Sequence, residues 1–370
     1  MLIGIPKEIK IHEYRVGATP SKVKLLIDAG HQVIIETGAA EKIGFPDSAY
    51  EAAGAKIVPS AKEVYEAELV IKVKEPQEPE YGLLKKGQTL FCYLHLAPDA
   101  KQTEALVKSG VTAIAYETVF DQMGRLPLLT PMSELAGRIA IQAGATALQM
   151  AYGGKGVLLG GVPGVLPGKV VVIGGGVVGT HAARMAMGLG ADVTVLDRDL
   201  NRLRDIDVDF NFRMKTLFSS PQNVERVLQD ADLVVGAVLI PGKSAPRLVT
   251  KEMLQLMEKG SVLVDVAIDQ GGCFETSRPT THSDPRYEVD GVVHYCVTNM
   301  PGACAKTATE ALTSATIPYT QKLVEMGVSQ ALLSDKGFLQ GLNVCNGRVT
   351  NEHVAADLGY DYVSPEEILK

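Results

Sequence analysis

Along this chain, short apolar runs alternate with stretches of helical period. In the first third, Leu2–Ile5, Gln32–Glu36, Leu69–Val73, Thr89–Leu94 and Thr112–Ala115 are rich in β-branched and aliphatic residues, which predicts strands. Ser21–Ala29, Asp47–Ala53 and Ala100–Ser109 fall between them with helical patterning. Thr19-Pro20 reads as an N-cap followed by a proline in the first turn. Strands alternating with helices predict a parallel sheet covered by helices.

Further on, Ser133–Tyr152 contains no proline and predicts one long helix with Ser133 as its N-cap. The glycine-rich segments Gly153-Gly154 and Gly160-Gly161-Val162-Pro163-Gly164 follow it. Strands resume over 170–173, 193–196, 232–237 and 261–266, and the last strand signal is Val292–Cys296. Thr307–Met326 predicts a second long helix, interrupted by Pro318, that leads the chain back so that the tail completes the first domain.

The strand Val170–Ile173 feeds directly into Gly174-x-Gly176-x-x-Gly179. A helical pattern follows, with Ala182, Ala183 and Met185 on its expected packed face, and then Val193–Leu196 ends at Asp197. Gly174 allows a tight turn, and Gly176 lets the backbone approach a pyrophosphate. Gly179 lets helix and strand pack closely, while the carboxylate about 20 residues on can accept from a ribose 2′-hydroxyl. This is a dinucleotide-binding fingerprint in full context. It predicts an α/β protein with two doubly wound domains joined by two long helices. A Rossmann nucleotide domain spans 131–306, and a discontinuous Rossmann-like substrate domain spans 1–130 plus 307–370. The fingerprint lies at the middle of the chain, so the first domain is expected to carry the chemistry.

Bulk properties narrow the classes. A chain of 370 residues is long enough for two cores, and 46% hydrophobic with 21% charged residues is ordinary for a globular protein. The net charge of −7 excludes non-specific nucleic-acid binding. No apolar run reaches membrane-span length and no signal peptide is visible, so no membrane partner is expected. Five widely spaced cysteines without Cys-x-x-Cys argue against a disulfide framework or a metal site and suggest a reducing cytoplasm.

Ligands of doubly wound sheets bind beyond the carboxyl ends of the strands. The polar residues expected there are Arg15, Lys74, His95 and Glu117 in the first domain and Asp269 in the second. Arginine offers a planar bidentate carboxylate anchor, lysine a point charge that polarises a carbonyl, and histidine a proton shuttle. Each has a plainer alternative. Arg15 can be a surface residue beside Glu13, and His95 a core histidine. Lys72 and Lys74 share one strand face, so one of them can merely snorkel to solvent, and Lys74, nearer the strand end, is the candidate. Asp265, the rival of Asp269, reads as a structural mid-strand carboxylate. Tyr93 and Met132 flank these positions, either as ordinary core or as limits on the size of a substrate side chain.

At these residues the chain resembles the bacterial L-alanine dehydrogenase family. The matching segments are Gly4–Glu8 with Glu13–Val16, Val73–Pro76 with Leu94–Ala97, Pro131–Glu134, the glycine fingerprint, and Asp269–Glu275 with Asn299–Pro301. The resemblance implies a cytoplasmic homohexamer that uses NAD to interconvert L-alanine with pyruvate and ammonium. It implies that Arg15 and Lys74 bind substrate, that His95 moves the proton, and that Asp269 is a second catalytic residue. Nucleotide contacts would come from Ser133, Val177, Val178, Asp197, Arg202, Ser219, Val238, Leu239, Arg278, Val297 and Met300. Ile11-His12 departs from the small polar residues expected before Arg15. Arg198, next to Asp197, could accommodate a 2′-phosphate, although the Asp197 carboxylate would repel one. The alternatives to weigh are the nucleotide-binding component of a proton-translocating transhydrogenase, a non-catalytic NAD-binding protein, and a dehydrogenase of lysine-derived substrates.

Overall fold

The computed structural model describes residues 1–238 and 245–370. The chain folds as two compact units, residues 1–132 with 304–370, and residues 133–303.

The sheet of the first unit contains β1 (Leu2–Ile5), β2 (Gln32–Glu36), β3 (Lys56–Val58), β4 (Leu69–Ile71), β5 (Thr89–Cys92) and β6 (Thr112–Ala115). That of the second contains β7 (Lys169–Ile173), β8 (Asp192–Asp197), β9 (Lys215–Phe218), β10 (Leu233–Gly236), β11 (Val262–Asp265), β12 (Arg286–Val289) and β13 (Val292–Tyr295). The tail supplies β14 (Leu342–Cys345) and β15 (Arg348–Val349). Strand order is β15-β14-β6-β5-β4-β1-β2-β3 in one sheet and β12-β13-β11-β10-β7-β8-β9 in the other. Pairing is parallel except at the added edges, where β14 runs antiparallel to β6 and to β15, and β12 antiparallel to β13.

Both sheets therefore have the Rossmann order. The first strand of each unit lies between the second and the fourth, so the order reverses beside β1 and beside β7. Helix-covered parallel strands are buried on both faces, and β4, β5, β10 and β11 are accordingly buried at every position. Branched aliphatic residues fill both cores, around Val70, Leu90 and Ala113 in one and Val171, Val234 and Leu263 in the other.

Three sequence expectations need correction here. The first long helix runs Thr130–Ala147, so Ser133 stands inside its first turn rather than capping it. Pro131 lacks only an N–H that the first turn leaves unused, so the helix starts ahead of it. The second long helix runs unbroken over Ala305–Met326 with Pro318 inside. Burial of Leu312, Ile317 and Leu323 along it outweighs the one backbone bond that proline removes. Third, β11 ends at Asp265, and the following turn over Ile268–Gln270 carries Asp269 past the strand end.

Candidate active site

In the first unit, the residues beyond the ends of β1, β4, β5 and β6 form one polar cluster around the strand-order reversal. Arg15 is 2% exposed and is no surface arginine. Its Nε and Nη2 donate to the two carboxylate oxygens of Glu13 at 2.6 and 2.5 Å, a fork-to-fork pair that fixes the guanidinium plane. Nη1 lies 3.1 Å from the sulfur of Met132. Burial opposes the charge on Arg15, but Glu13 more than offsets it and raises its pKa. Burial likewise works against ionisation of Glu13, yet the Arg15 pair holds its carboxyl below the usual range.

Lys72 does not snorkel. It is fully buried, with Nζ 2.8 Å from Glu80 Oε1 and 3.3 Å from Glu8 Oε2. Burial favours its neutral form, and these two carboxylates reverse that preference. The Tyr65 hydroxyl also donates to Glu80, at 3.0 Å. Glu8 Oε1 accepts the backbone N–H groups of Val73 and Lys74 at 2.7 and 3.2 Å. The buried cluster thus pins the main chain that carries Lys74. One lysine serves two carboxylates, and burial pushes Glu8 above the ordinary value. Lys74 is shifted down, first by burial and then by the charges of Arg15 and Lys10, with Glu75 and Glu13 opposing.

His95 follows β5 in a left-handed backbone conformation, φ 50°, with its side chain half exposed. Its ring stacks on Tyr93 at 5.9 Å, and the Tyr93 hydroxyl donates to the Leu128 carbonyl at 2.6 Å. Glu117, in the turn after β6, lies alongside because Cys92 and Ala115 are neighbours in the sheet. Its Oε1 accepts the His95 N–H at 2.6 Å and the Leu94 N–H at 3.2 Å. The sequence pattern missed Glu8, Glu80 and Lys72 as supports. Only Lys72 carried a local signal, since a charged residue inside the apolar run Leu69–Val73 has to be paired if it is buried.

In the second unit the glycines shape a cradle that suits a nucleotide. Gly174 has φ 105° and lies so close to the chain after β10 that an added Cβ would sit 2.8 Å from the Ala237 carbonyl. At Gly179 a Cβ would fall 1.7 Å from the Gly174 carbonyl oxygen, so only glycine fits. Gly176 caps the helix Val177–Gly188, and a Cβ there meets nothing within 4 Å. That open, side-chain-free helix start, with its N–H groups and dipole, suits a pyrophosphate. Asp197 Oδ2 accepts from Gly175 N at 2.6 Å and Oδ1 from Asp199 N at 2.8 Å, which aims the carboxylate and leaves acceptor capacity for a ribose hydroxyl. Arg202 donates to the Gly175 carbonyl and the Thr180 hydroxyl, each at 2.6 Å, bracing the loop. The residues present fit a dinucleotide.

Among the remaining candidates, Val177 and Val178 form the first turn of that helix, and Val177 and Arg278 are exposed. The Arg278 guanidinium lies 4.0 Å over the Tyr287 ring. Ser219, Val297 and Met300 are buried, and Ser133 and Val238 are partly buried. Asp269 is exposed on its turn, whereas Asp265 accepts from Cys273 N and Ser277 Oγ as a structural carboxylate. Leu239 lies outside the described residues. All five cysteines are free thiols.

A glycine cradle with a ribose-directed carboxylate, in a chain whose other Rossmann-type unit gathers cations and an imidazole, defines a dinucleotide-dependent oxidoreductase. The alanine dehydrogenase/PNT N-terminal domain family matches residues 4–136, and its C-terminal domain family matches residues 140–352. The chain belongs to the alanine dehydrogenase/PNT family. The alanine dehydrogenases of Halomonas elongata and Bacillus subtilis are each 55% identical to it, over 100% of this chain and 100% and 98% of theirs. A solved L-alanine dehydrogenase superposes with a TM-score of 0.95 at 53% identity, covering 97% of this chain and 99% of that one. A transhydrogenase from Sinorhizobium meliloti has the same architecture at 26% identity and TM-score 0.81, over 95% and 99%.

Proposed function

We propose that the chain catalyses the reversible NAD-dependent deamination of L-alanine to pyruvate and ammonium; its full-length relatives carry the name alanine dehydrogenase. The observation that carries this reading is the cluster of Arg15, Lys74 and His95 beyond the strand ends of the first unit. Arg15, its plane set by Glu13, anchors the substrate carboxylate. Lys74, on a main chain pinned by Glu8, meets the carboxylate and the carbonyl or imine carbon's substituent. Such positioning removes a large part of the barrier. Bound NAD supplies the hydride acceptor. His95 then takes a proton from the water that adds to the resulting imine and returns it to the departing ammonia. Ser133, Gly174, Gly176, Val177, Val178, Gly179, Asp197, Arg202, Ser219, Val238, Leu239, Arg278, Val297 and Met300 form the nucleotide side, with Asp269 as the second catalytic group. Asp197 favours NAD over NADP because its carboxylate repels a 2′-phosphate. Tyr93 and Met132 keep the substrate side chain small.

The reading includes a cytoplasmic homohexamer. No described helix is long and apolar enough to cross a membrane. Leu158, Val162, Val165 and Leu166 are exposed apolar residues suited to a subunit contact. The decisive assay is NADH oxidation by pyruvate plus ammonium, with 2-oxoglutarate plus lysine as the control. Turnover with the first pair alone is expected. Silence with pyruvate overturns the proposal and favours a transhydrogenase component or a non-catalytic NAD-binding protein.

A further inference from the structure

We infer that Glu117 is a positioning residue that acts on the reaction through His95. The inference rests on the proposed proton-transfer role of His95. A non-glycine residue at φ 50° is held against a steric preference, and such a conformation persists only where its surroundings fix it. Glu117 supplies that fixation. Its Oε1 accepts the His95 N–H at 2.6 Å, and both of its oxygens lie 3.2 Å from the Leu94 N–H. The Leu94 carbonyl is held from the other side by Gln102 Nε2 at 3.0 Å, so the peptide before His95 is gripped at both ends. The same carboxylate oxygen lies 3.9 Å from Nδ1 of the imidazole, while the Tyr93 ring stacks alongside it. One side chain thus fixes the backbone turn that presents the imidazole, through its acceptor oxygens. Glu117 itself is largely covered, with its side chain 12% exposed.

The test is a double-mutant cycle on the full-length enzyme with Glu117→Ala, His95→Ala and the pair, measured as kcat and KM for alanine and for NAD. Glu117→Ala alone should lower kcat by roughly 30-fold or more, because displacement of a general base by about 1 Å costs on the order of 100-fold. Both KM values should stay within about threefold, since the anchor and the nucleotide cradle are untouched. On a His95→Ala background the same substitution should lower kcat less than about twofold further, as groups acting as one unit are non-additive. Glu117→Gln keeps a carbonyl acceptor for both N–H groups and should recover most of the kcat lost in Glu117→Ala. It also serves as the readout should the alanine variant fail to fold. Additive losses, or a Glu117→Ala or Glu117→Gln enzyme that loses KM and kcat together, would overturn the inference. A His95→Ala enzyme with near-parental turnover would instead remove the reading on which it rests.

Discussion

The two sheets share one strand order and solve the opening beside their first strand in opposite ways. Beside β7 the second unit removes side chains. Gly174 and Gly179 let backbone approach backbone, and Gly176 leaves the start of the following helix free of a side chain. Beside β1 the first unit packs in charge, with Glu8, Glu13, Arg15, Lys72 and Glu80 all buried. A dinucleotide phosphate is large and anionic, and backbone dipoles suffice to hold it. A three-carbon acid has little surface to grip, so its recognition needs fixed, desolvated charges, and those charges need partners.

The glycine side should break most completely. Gly179→Ala forces a Cβ to within 1.7 Å of a carbonyl oxygen, so helix and strand must separate. NADH binding, followed by fluorescence, should be lost. Gly176→Ala meets open space, so the unit should fold and bind NADH with roughly 10-fold weaker affinity, because the methyl obstructs the phosphate rather than the fold.

Next in size is the buried network of the first unit. Lys72→Met leaves Glu8 and Glu80 buried without their cation, which should cost about 3–5 kcal/mol of stability in denaturant unfolding. Combining it with Glu8→Gln and Glu80→Gln should recover much of the loss, since removing all the charges leaves none unpaired. If Lys72→Met were as stable as the parent, the picture of a charge-built pocket would fail.

A smaller effect concerns pH. The pKa of Lys74 is lowered by burial and by the neighbouring Arg15 and Lys10 charges, so Lys74 loses its proton below the ordinary 10.5. Arg15 does not titrate in this range, its pKa being raised by Glu13. Pyruvate has no group that titrates there, so its affinity should fall as pH rises toward 10.5, while Arg15 preserves weak residual binding. The sign is fixed because the neutral amine no longer attracts the substrate's negative oxygens. Glu13 acts at the other end of the scale. Its carboxyl is held low in the folded protein, so the stability it contributes is complete above the ordinary 4.5 and is lost as pH falls through the lowered value. Urea unfolding between pH 6 and pH 3 should show that loss, and Glu13→Gln should flatten it.

The same contrast explains what could be read from residues alone. The nucleotide cradle is local in sequence, with strand, glycines, helix and Asp197 within one βαβ unit, and its steric logic follows from spacing. The α/β class and the inner strands were equally legible, because β1, β2, β7 and β8 are apolar runs bounded by turn residues. Edge strands were not. β9 has no fully buried residue and β15 is only two residues long, so neither carries a periodic signal. The proposed substrate side draws on residues from Glu8 to Glu117, and nothing local announces that they meet. Lys72 is hard to read from sequence for that reason. Its partners Glu8 and Glu80 reach it only through tertiary packing, so two-residue periodicity marked a shared face without distinguishing a buried ion from a solvated one. The extent of Thr130–Ala147 was similarly obscured, because Ser133 has the side chain of an N-cap although the helix begins three residues earlier.

The central claim is that the charges of the first unit bind the small acid and the glycines of the second unit hold the nucleotide. Lys74→Met tests it most directly, because Lys74 lies in a neighbourhood shared with Arg15 and Lys10 and its removal deletes a cation without opening the Glu13–Arg15 pair. Parallel measurement of the NADH dissociation constant and the pyruvate KM should show the first unchanged within about twofold and the second raised by roughly 100-fold, the loss expected for a charge-assisted contact of about 3 kcal/mol. An unchanged pyruvate KM, or an equal loss of NADH affinity, would contradict the account.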